Sequence, residues 1–235
     1  MSNYFFSNTI SGNIIVLDKV ESNHCINVLR KTCGDCINVI DGKGNLFIGE
    51  IINPDKIQCK IKIKKIVKKN KDKKKYIHIA ISPTKNHDRI DWFIEKAVEI
   101  GVDEISFINC ERTLRKKIRI NRLIKIAITA IKQSLKTRLP KINNMVSFDE
   151  FLNNNKNKIG CICHLEKGKK NNFLSMKLKD DEIFILIGPE GDFSSAEIQL
   201  ALSRNIYPVS LGESRLRTET AGIVACHLLS LENNE

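Results

Sequence analysis

The chain has 235 residues, 42% of them hydrophobic, and carries 39 Lys and Arg against 27 Asp and Glu, for a formal net charge of +12. That length and apolar share exclude a disordered tail and a small disulfide-stapled scaffold, and set one or two globular domains as the expectation. Such a positive excess points to a polyanionic partner, nucleic acid first and an anionic membrane second.

No apolar run reaches the roughly 18 residues of a membrane span. The opening Met1-Ser2-Asn3-Tyr4 lacks the basic and long apolar stretches of a secretion signal. Eight scattered cysteines form no secreted framework, so reduced thiols in the cytoplasm are expected.

Residues 1–67 read as a small β-domain. The segment 22–30 suggests one or two helical turns with His24, Val28 and Leu29 inward. Ile37-Asn38-Val39-Ile40, the turn Asp41-Gly42-Lys43-Gly44 and the run 46–51 form a hairpin. Beyond it Ile57, Cys59, Ile61 and Ile63 alternate with Gln58, Lys60, Lys62 and Lys64, a half-buried strand with a lysine face. Short strands with such turns suggest a barrel. Cys33-Gly34-Asp35-Cys36 has metal-ligand spacing, but no second pair stands at the right distance, and a hairpin turn accounts for it; no metal is expected. The lysine run 68–75 reads as a solvated linker that also has phosphates within reach. It separates a domain at 1–72 from one at 73–235.

From Tyr76 strands alternate with helices, the pattern of a mostly parallel sheet covered on both faces. Strands are expected at 76–81, 104–108, 160–165, 183–187 and 207–210. A helix over 88–100 ends at Gly101, with Ile90, Phe93, Ile94, Ala97 and Val98 on one face. A second, over 119–136, turns Ile120, Leu123, Ile124, Ala127, Ile128, Ile131 and Leu135 inward, and Arg119, Arg122, Lys125, Lys132 and Lys136 outward. Residues 153–158 read as a polar loop. Ser194 and Glu197 make a capping box for a helix burying Ile198, Ala201 and Leu202. The final helix, 219–231, is apolar nearly all round and is expected to be buried.

The chemistry concentrates in two turns. Ile187-Gly188-Pro189-Glu190-Gly191-Asp192-Phe193-Ser194 follows one strand, and Leu211-Gly212-Glu213-Ser214-Arg215-Leu216-Arg217-Thr218-Glu219-Thr220 follows another. Glycine-bearing turns at the carboxyl ends of adjacent strands make a ligand crevice in an open α/β sheet. Backbone at Gly188, Gly191 and Gly212 can approach a planar ligand closely. No GxGxxG opens the first helix and no GxxxxGK[ST] exists, which argues against a nucleotide-dependent oxidoreductase.

These turns, together with "HCINVLR…GDCINVIDGKG", "SPTKNHDRIDWFIEKAVEIGV" and "ITAIKQSLKTRLPKI", resemble the RsmE family of SPOUT RNA methyltransferases across nearly the whole chain. The resemblance implies an α/β fold: a trefoil-knotted SPOUT domain behind a small N-terminal PUA-like barrel. It also implies S-adenosylmethionine (SAM) as cofactor, N3-methylation of one uridine in the 16S rRNA of the small ribosomal subunit, and a homodimer. Under it Ile187, Gly188, Pro189, Glu190, Gly191, Leu211, Gly212 and Leu216 hold the cofactor. Arg217 is the leading catalytic candidate, stabilising an anionic base or clamping a phosphate, and Glu219 is a proton acceptor. His24, Arg30 and Arg215 contact RNA, and His164 lines the site. The sequence departs from the family pattern at Lys132 and Lys136, usually Glu and Arg, at Asp192, often Gly, and at Ser214, where an Arg is common. A non-catalytic assembly factor and a SPOUT ribose 2′-O-methyltransferase remain the alternatives.

Overall fold

The computed structural model describes residues 4–68, 75–168, 170–173, 176 and 182–231. Most of the lysine run, residues 69–74, lies outside the described residues. The chain divides into two compact units, Met1–Asp72 with Ile128–Leu139, and Lys73–Ala127 with Pro140–Glu235.

In the first unit the strands are β1 (Tyr4–Phe6), β2 (Thr9–Ser11), β3 (Ile14–Val16), β4 (Cys36–Ile40), β5 (Asn45–Asn53) and β6 (Lys60–Lys68), with helix α1 (Lys19–Asn23) running into a π-helical turn, His24–Val28. The sheet order is β1-β4-β5-β6-β3-β2. Ser7 bridges β4 and β3, the strands next to the two edges: the backbone N–H donates to Ile40 O at 3.0 Å and Oγ donates to Val16 O at 2.6 Å. The curled sheet closes over Phe5, Ile15, Leu17, Val39, Ile51 and Ile61.

Cys59, Ile61 and Ile63 point into this core and Lys60, Lys62 and Lys64 out of it, as a period of two requires. Ile57 precedes the strand and is exposed, contrary to expectation. So is Val28, at 61%. The Leu29 N–H bonds His24 O, five residues back, and this wider turn rotates Val28 away from the inner face.

Residues 128–139 join the first unit for reasons that a helical period conceals. Lys132, expected to face outward, pairs with the buried Glu21. The Gly44 N–H reaches Thr137 O, and the Leu139 N–H reaches Gly42 O. Leu135, expected inside, adopts φ 54° just past the helix and is exposed.

The second unit contains β7 (Tyr76–Ile81), α2 (His87–Ile100), β8 (Glu104–Asn109), β9 (Lys141–Ser147), α4 (Phe148–Asn154), β10 (Ile159–Cys163), β11 (Asn171–Asn172), β12 (Glu182–Ile187), α5 (Ser195–Ser203), β13 (Tyr207–Ser210) and α6 (Thr218–Leu231); α3 (Ile120–Gln133) runs from it into the first unit. Gly101 ends α2 at φ 117°, and the Ser194/Glu197 capping box opens α5. Neither β9 nor α4 is visible in the hydrophobic pattern. Strand β9 is half-exposed with Asn143 and Asn144 mid-strand, and α4 takes in Asn153 and Asn154 from the expected loop.

All seven strands are parallel, in the order β11-β13-β10-β12-β7-β8-β9. The chain builds β7, β8 and β9 toward one edge and then places β12, β10 and β13 on the other side of β7. A crevice is expected at the carboxyl ends where the order reverses. The two glycine turns are not on adjacent strands as expected: β10 lies between, pairing Cys163 with Ile187 on one side and Val209 on the other. Strand order depends on long-range pairing and leaves no trace in periodicity.

The last helix is less enclosed than its composition suggests. Gly222, Ala225, Cys226 and Leu229 are buried, whereas Ile223, Val224 and Leu228 are half-buried and Leu231 is exposed.

Candidate active site

A cleft of about 320 Å³ opens at the carboxyl ends of β10, β12 and β13. That volume is at the lower end of the roughly 300–1,000 Å³ of small-molecule pockets. Its walls come from three turns, not two. Ile187 ends β12 and Gly188, Pro189 and Glu190 follow it; Leu211, Gly212, Arg215, Leu216 and Arg217 follow β13; Cys163 ends β10 and His164 and Leu165 follow it. Arg89 of α2 and Thr218 of α6 complete the rim.

Each turn is fixed from behind. Thr218 Oγ1 donates to Gly188 O at 3.0 Å, tying one glycine turn to the helix that follows the other. A side chain at Gly188 would meet the buried Phe193 ring at 3.0 Å, so the close packing of strand and turn requires glycine there. Gly212 has φ 139° and open space where a Cβ would stand, so only glycine turns the backbone this way while leaving the cleft free. Gly191 is not part of the lining: its carbonyl accepts from Arg112 Nη1 at 2.9 Å, and that guanidinium also reaches Phe193 O.

Asp192 explains its own departure from glycine. At φ 67° it occupies a left-handed conformation that Asp tolerates better than most residues. Its carboxylate accepts from the Leu165 N–H at 2.7 Å and from its neighbour Phe193 at 2.8 Å. The β10 loop is thereby locked to the β12 turn.

Around the rim, charge is unevenly satisfied. Arg89 lies 3.8 Å from Glu190 and 3.7 Å from Glu219, and Glu190 also accepts from the Lys85 N–H. Glu219 is buried in the first turn of α6, and its Oε2 has no hydrogen-bond partner among the described residues. Glu190 and Glu219, the two acids close in sequence or in space to Arg217, are thus paired with Arg89. Arg217 is exposed and makes no ion pair among the described residues.

His164 is the second unsatisfied group: both ring nitrogens are shielded from solvent without a hydrogen-bond partner among the described residues. Burial lowers its pKa, with Lys170 acting in the same direction and Asp192 and Glu166 opposing. The ring at the cleft is a neutral imidazole at neutral pH. Burial also pushes the Cys163 thiol up, which keeps it protonated and inert.

The structure therefore gathers Ile187, Gly188, Pro189, Glu190, Leu211, Gly212, Arg215, Leu216 and Arg217 around one cavity. Glu219 stands behind the rim. His24 and Arg30 belong to the first unit: His24 is half-buried with its ring 5.9 Å from Phe5, and Arg30 is exposed at φ 53°. Arg89 was not singled out from sequence; its position in the first turn of α2, across from two carboxylates, is visible only in three dimensions. Among the described residues no group of three or more His, Cys, Asp or Glu is placed to hold a metal, and both members of the Cys33/Cys36 pair are free and exposed.

Comparison with known proteins agrees with this geometry. A family model described as RNA methyltransferase domain matches residues 71–230, and one described as RNA methyltransferase PUA domain matches residues 17–64. The fold and cleft thus define an RNA methyltransferase with an N-terminal PUA domain. The ribosomal RNA small subunit methyltransferase E of Buchnera aphidicola is 32% identical, over 87% of this chain and 83% of that protein. Methyltransferase E 2 of Borreliella burgdorferi is 33% identical, over 91% and 90%. A crystal structure assigned as an rRNA-methyltransferase from Porphyromonas gingivalis superposes with a TM-score of 0.91 at 37% identity, covering 99% of this chain and 98% of the other. A Legionella pneumophila methyltransferase solved with SAM bound gives 0.88 at 26% identity, covering 98% of each chain. The chain belongs to the ribosomal RNA small subunit methyltransferase E family, RsmE.

Proposed function

We infer that this chain is a SAM-dependent methyltransferase of small-subunit 16S rRNA, and that the methyl group goes to N3 of a uridine. The observation that carries the reading is the cleft itself: three turn backbones, one left-handed glycine and an unpartnered neutral imidazole converge on a space the size of a small molecule. These residues fit SAM. When bound, SAM supplies a methyl group on a cationic sulfonium, ready for in-line displacement.

The chain's own residues bind, orient and manage charge. Backbone N–H and C=O groups at Ile187–Glu190 and at Leu211 and Gly212 read the edge of the adenine, while Leu211 and Leu216 flank its faces. Holding donor and acceptor in line is worth up to about 7–11 kcal/mol in the best intramolecular models. Arg217, free of carboxylate partners among the described residues, stabilises the negative charge that develops as the uracil N3 proton leaves. Glu219 Oε2 is the acceptor at hand for that proton. Arg89 holds Glu190 and Glu219 apart from Arg217 and so keeps it available.

RNA docking is assigned to the basic surface, with His24 and Arg30 on the PUA unit and Arg215 at the cleft. The reading includes a trefoil knot in the second unit and a homodimer. The half-exposed stripe Ile223, Val224, Leu228 and Leu231 on α6 suits a surface between copies. A ribosomal substrate implies a cytoplasmic protein. Among the described residues no helix is long and apolar enough to cross a membrane.

Calorimetric titration with SAM, followed by mass-spectrometric mapping of methylated small-subunit RNA, tests the reading. Saturable SAM binding that survives Arg217→Ala, together with methyl transfer that does not, is the expected result. A wild-type protein that neither binds SAM nor methylates this RNA would overturn it.

A further inference from the structure

Beside the cleft lies a second, shallower hollow of about 310 Å³, formed where the first turns of α2 and α6 meet. Its lining is Asp88, Arg89, Trp92, Arg217, Glu219 and Thr220. Two of these, Arg89 and Arg217, also line the cleft, so the two spaces adjoin across a pair of guanidinium groups. Trp92 is the only tryptophan in the chain, and it is 44% exposed. Asp88 is one helical turn before it on the same side of α2.

An exposed indole needs a reason. Core packing does not supply one, because the inward face of α2 is already formed by Ile90, Phe93, Ile94, Ala97 and Val98. What distinguishes this place is the company: a flat π surface, an arginine without an ion-pair partner among the described residues, and polar groups at the edge, beside the cleft assigned to the methyl donor. Those are the parts that hold an unstacked nucleobase, whose face stacks on an aromatic ring and whose carbonyls or phosphate meet a cation.

Resting on the function proposed above, we propose that this hollow is the acceptor subsite, receiving the target pyrimidine with its face on Trp92 and its polar edge toward Arg217. The base is drawn out of the RNA stack, as chemistry on a base edge requires. Trp92 acts as a positioning residue. A second copy of the chain covering Trp92 is the competing occupant, and the unpaired positive charge of Arg217 favours RNA over it.

The lone tryptophan makes the test direct. Protein saturated with S-adenosylhomocysteine is titrated with a uridine hexanucleotide while Trp92 emission and the anisotropy of labelled RNA are followed together. Stacking is expected to quench the emission saturably, in step with RNA binding. Separately, Trp92→Leu is expected to lower kcat/KM for RNA methylation about tenfold or more, with unchanged affinity for S-adenosylhomocysteine. Trp92→Phe, which keeps a stacking face, should restore most of it. RNA binding without any change in Trp92 emission would overturn the proposal. So would a Leu variant with wild-type methylation, or one whose only defect is dissociation into monomers. Failure of wild type to bind S-adenosylhomocysteine or methylate RNA would instead strike the enzyme reading itself.

Discussion

The two ends of the parallel sheet in the second unit treat their polar groups in opposite ways. At the amino ends of β7, β8 and β9 they are spent largely on one another, with His78 Nδ1 left over as one buried atom without a partner among the described residues. Glu104 accepts from Tyr76 Oη at 3.1 Å, Lys141 Nζ at 2.9 Å and Asn143 Nδ2 at 2.6 Å, while Ser106 Oγ meets His78 Nε2 and Asn143, each at 2.8 Å. At the carboxyl ends, His164 has no partner for either nitrogen, Glu219 Oε2 has none, and Arg217 has no counter-charge among the described residues. Unsatisfied buried polar groups are costly to a fold and call for an explanation. The amino end is a structural network; the carboxyl end keeps its valences for ligands.

The contrast is broken most sharply at the carboxyl end. Gly212→Val places a β-branched side chain at φ 139° and fills the space beside the turn. SAM affinity is expected to fall about a thousandfold or more, from backbone strain and steric exclusion together. No protein atom lies within 4 Å of the new Cβ, so thermal unfolding should shift down only by the several degrees that about 1–3 kcal/mol of backbone strain costs. Titration calorimetry beside a melting curve separates the two; retained SAM affinity would remove this turn from the cofactor site.

At the amino end the expected signature is stability against pH. Burial lowers the pKa of His78 from 6.5 to about 4, with Glu104 opposing and Lys158 and Lys141 assisting. Such a group takes up its proton preferentially in the unfolded chain. Its stabilisation is intact above pH 6.5 and is lost as pH falls toward 4, in total about 3 kcal/mol. Urea unfolding at pH 7, 5.5 and 4 should trace that slope, and His78→Asn should flatten it. Glu104, at about 2, adds its own loss only below its ordinary value of 4.5. An identical slope in the variant would assign the acid sensitivity elsewhere.

Legibility in the sequence follows the same division. The glycine turns, the capping box at Ser194 and the inward face of α2 were all readable, because turn chemistry and helical period are local. The β10 loop was legible only through the family resemblance, which placed His164 at the site; no local pattern shows that β10 is inserted between β12 and β13. The amino-end network was equally hidden, since Asn143 and Lys141 mask β9 as a polar loop until Glu104 and Ser106 are placed opposite them. Thr218 is intermediate. It reads as the last turn residue before a helix beginning at 219, one position from where α6 starts, but its bond to Gly188 O, 30 residues away, was not legible. Thr218→Val keeps the shape and removes the donor, and SAM affinity should fall about tenfold with about 1 kcal/mol of stability. No change in either would mean the two turns hold together without it.

The smallest effect tests the most unusual group in the cleft. His164 is neutral at pH 7 because burial, and then Lys170, hold its pKa below 6.5 against Asp192 and Glu166. Asp192 is in any case occupied by the Leu165 and Phe193 N–H groups. A neutral imidazole brings one donor and one acceptor to a ligand, whereas the protonated ring adds a positive charge. SAM carries a sulfonium and S-adenosylhomocysteine a neutral thioether, the two being otherwise alike. SAM affinity should therefore be level near neutrality and decline as pH falls below 6.5, with a shallower decline for S-adenosylhomocysteine. His164→Gln, which keeps hydrogen-bonding capacity without the titration, should abolish the difference between the two ligands and cost about threefold in affinity at pH 7. If both ligands lose affinity in parallel, and do so in the variant too, the imidazole lines the cleft without sensing the charge of what occupies it.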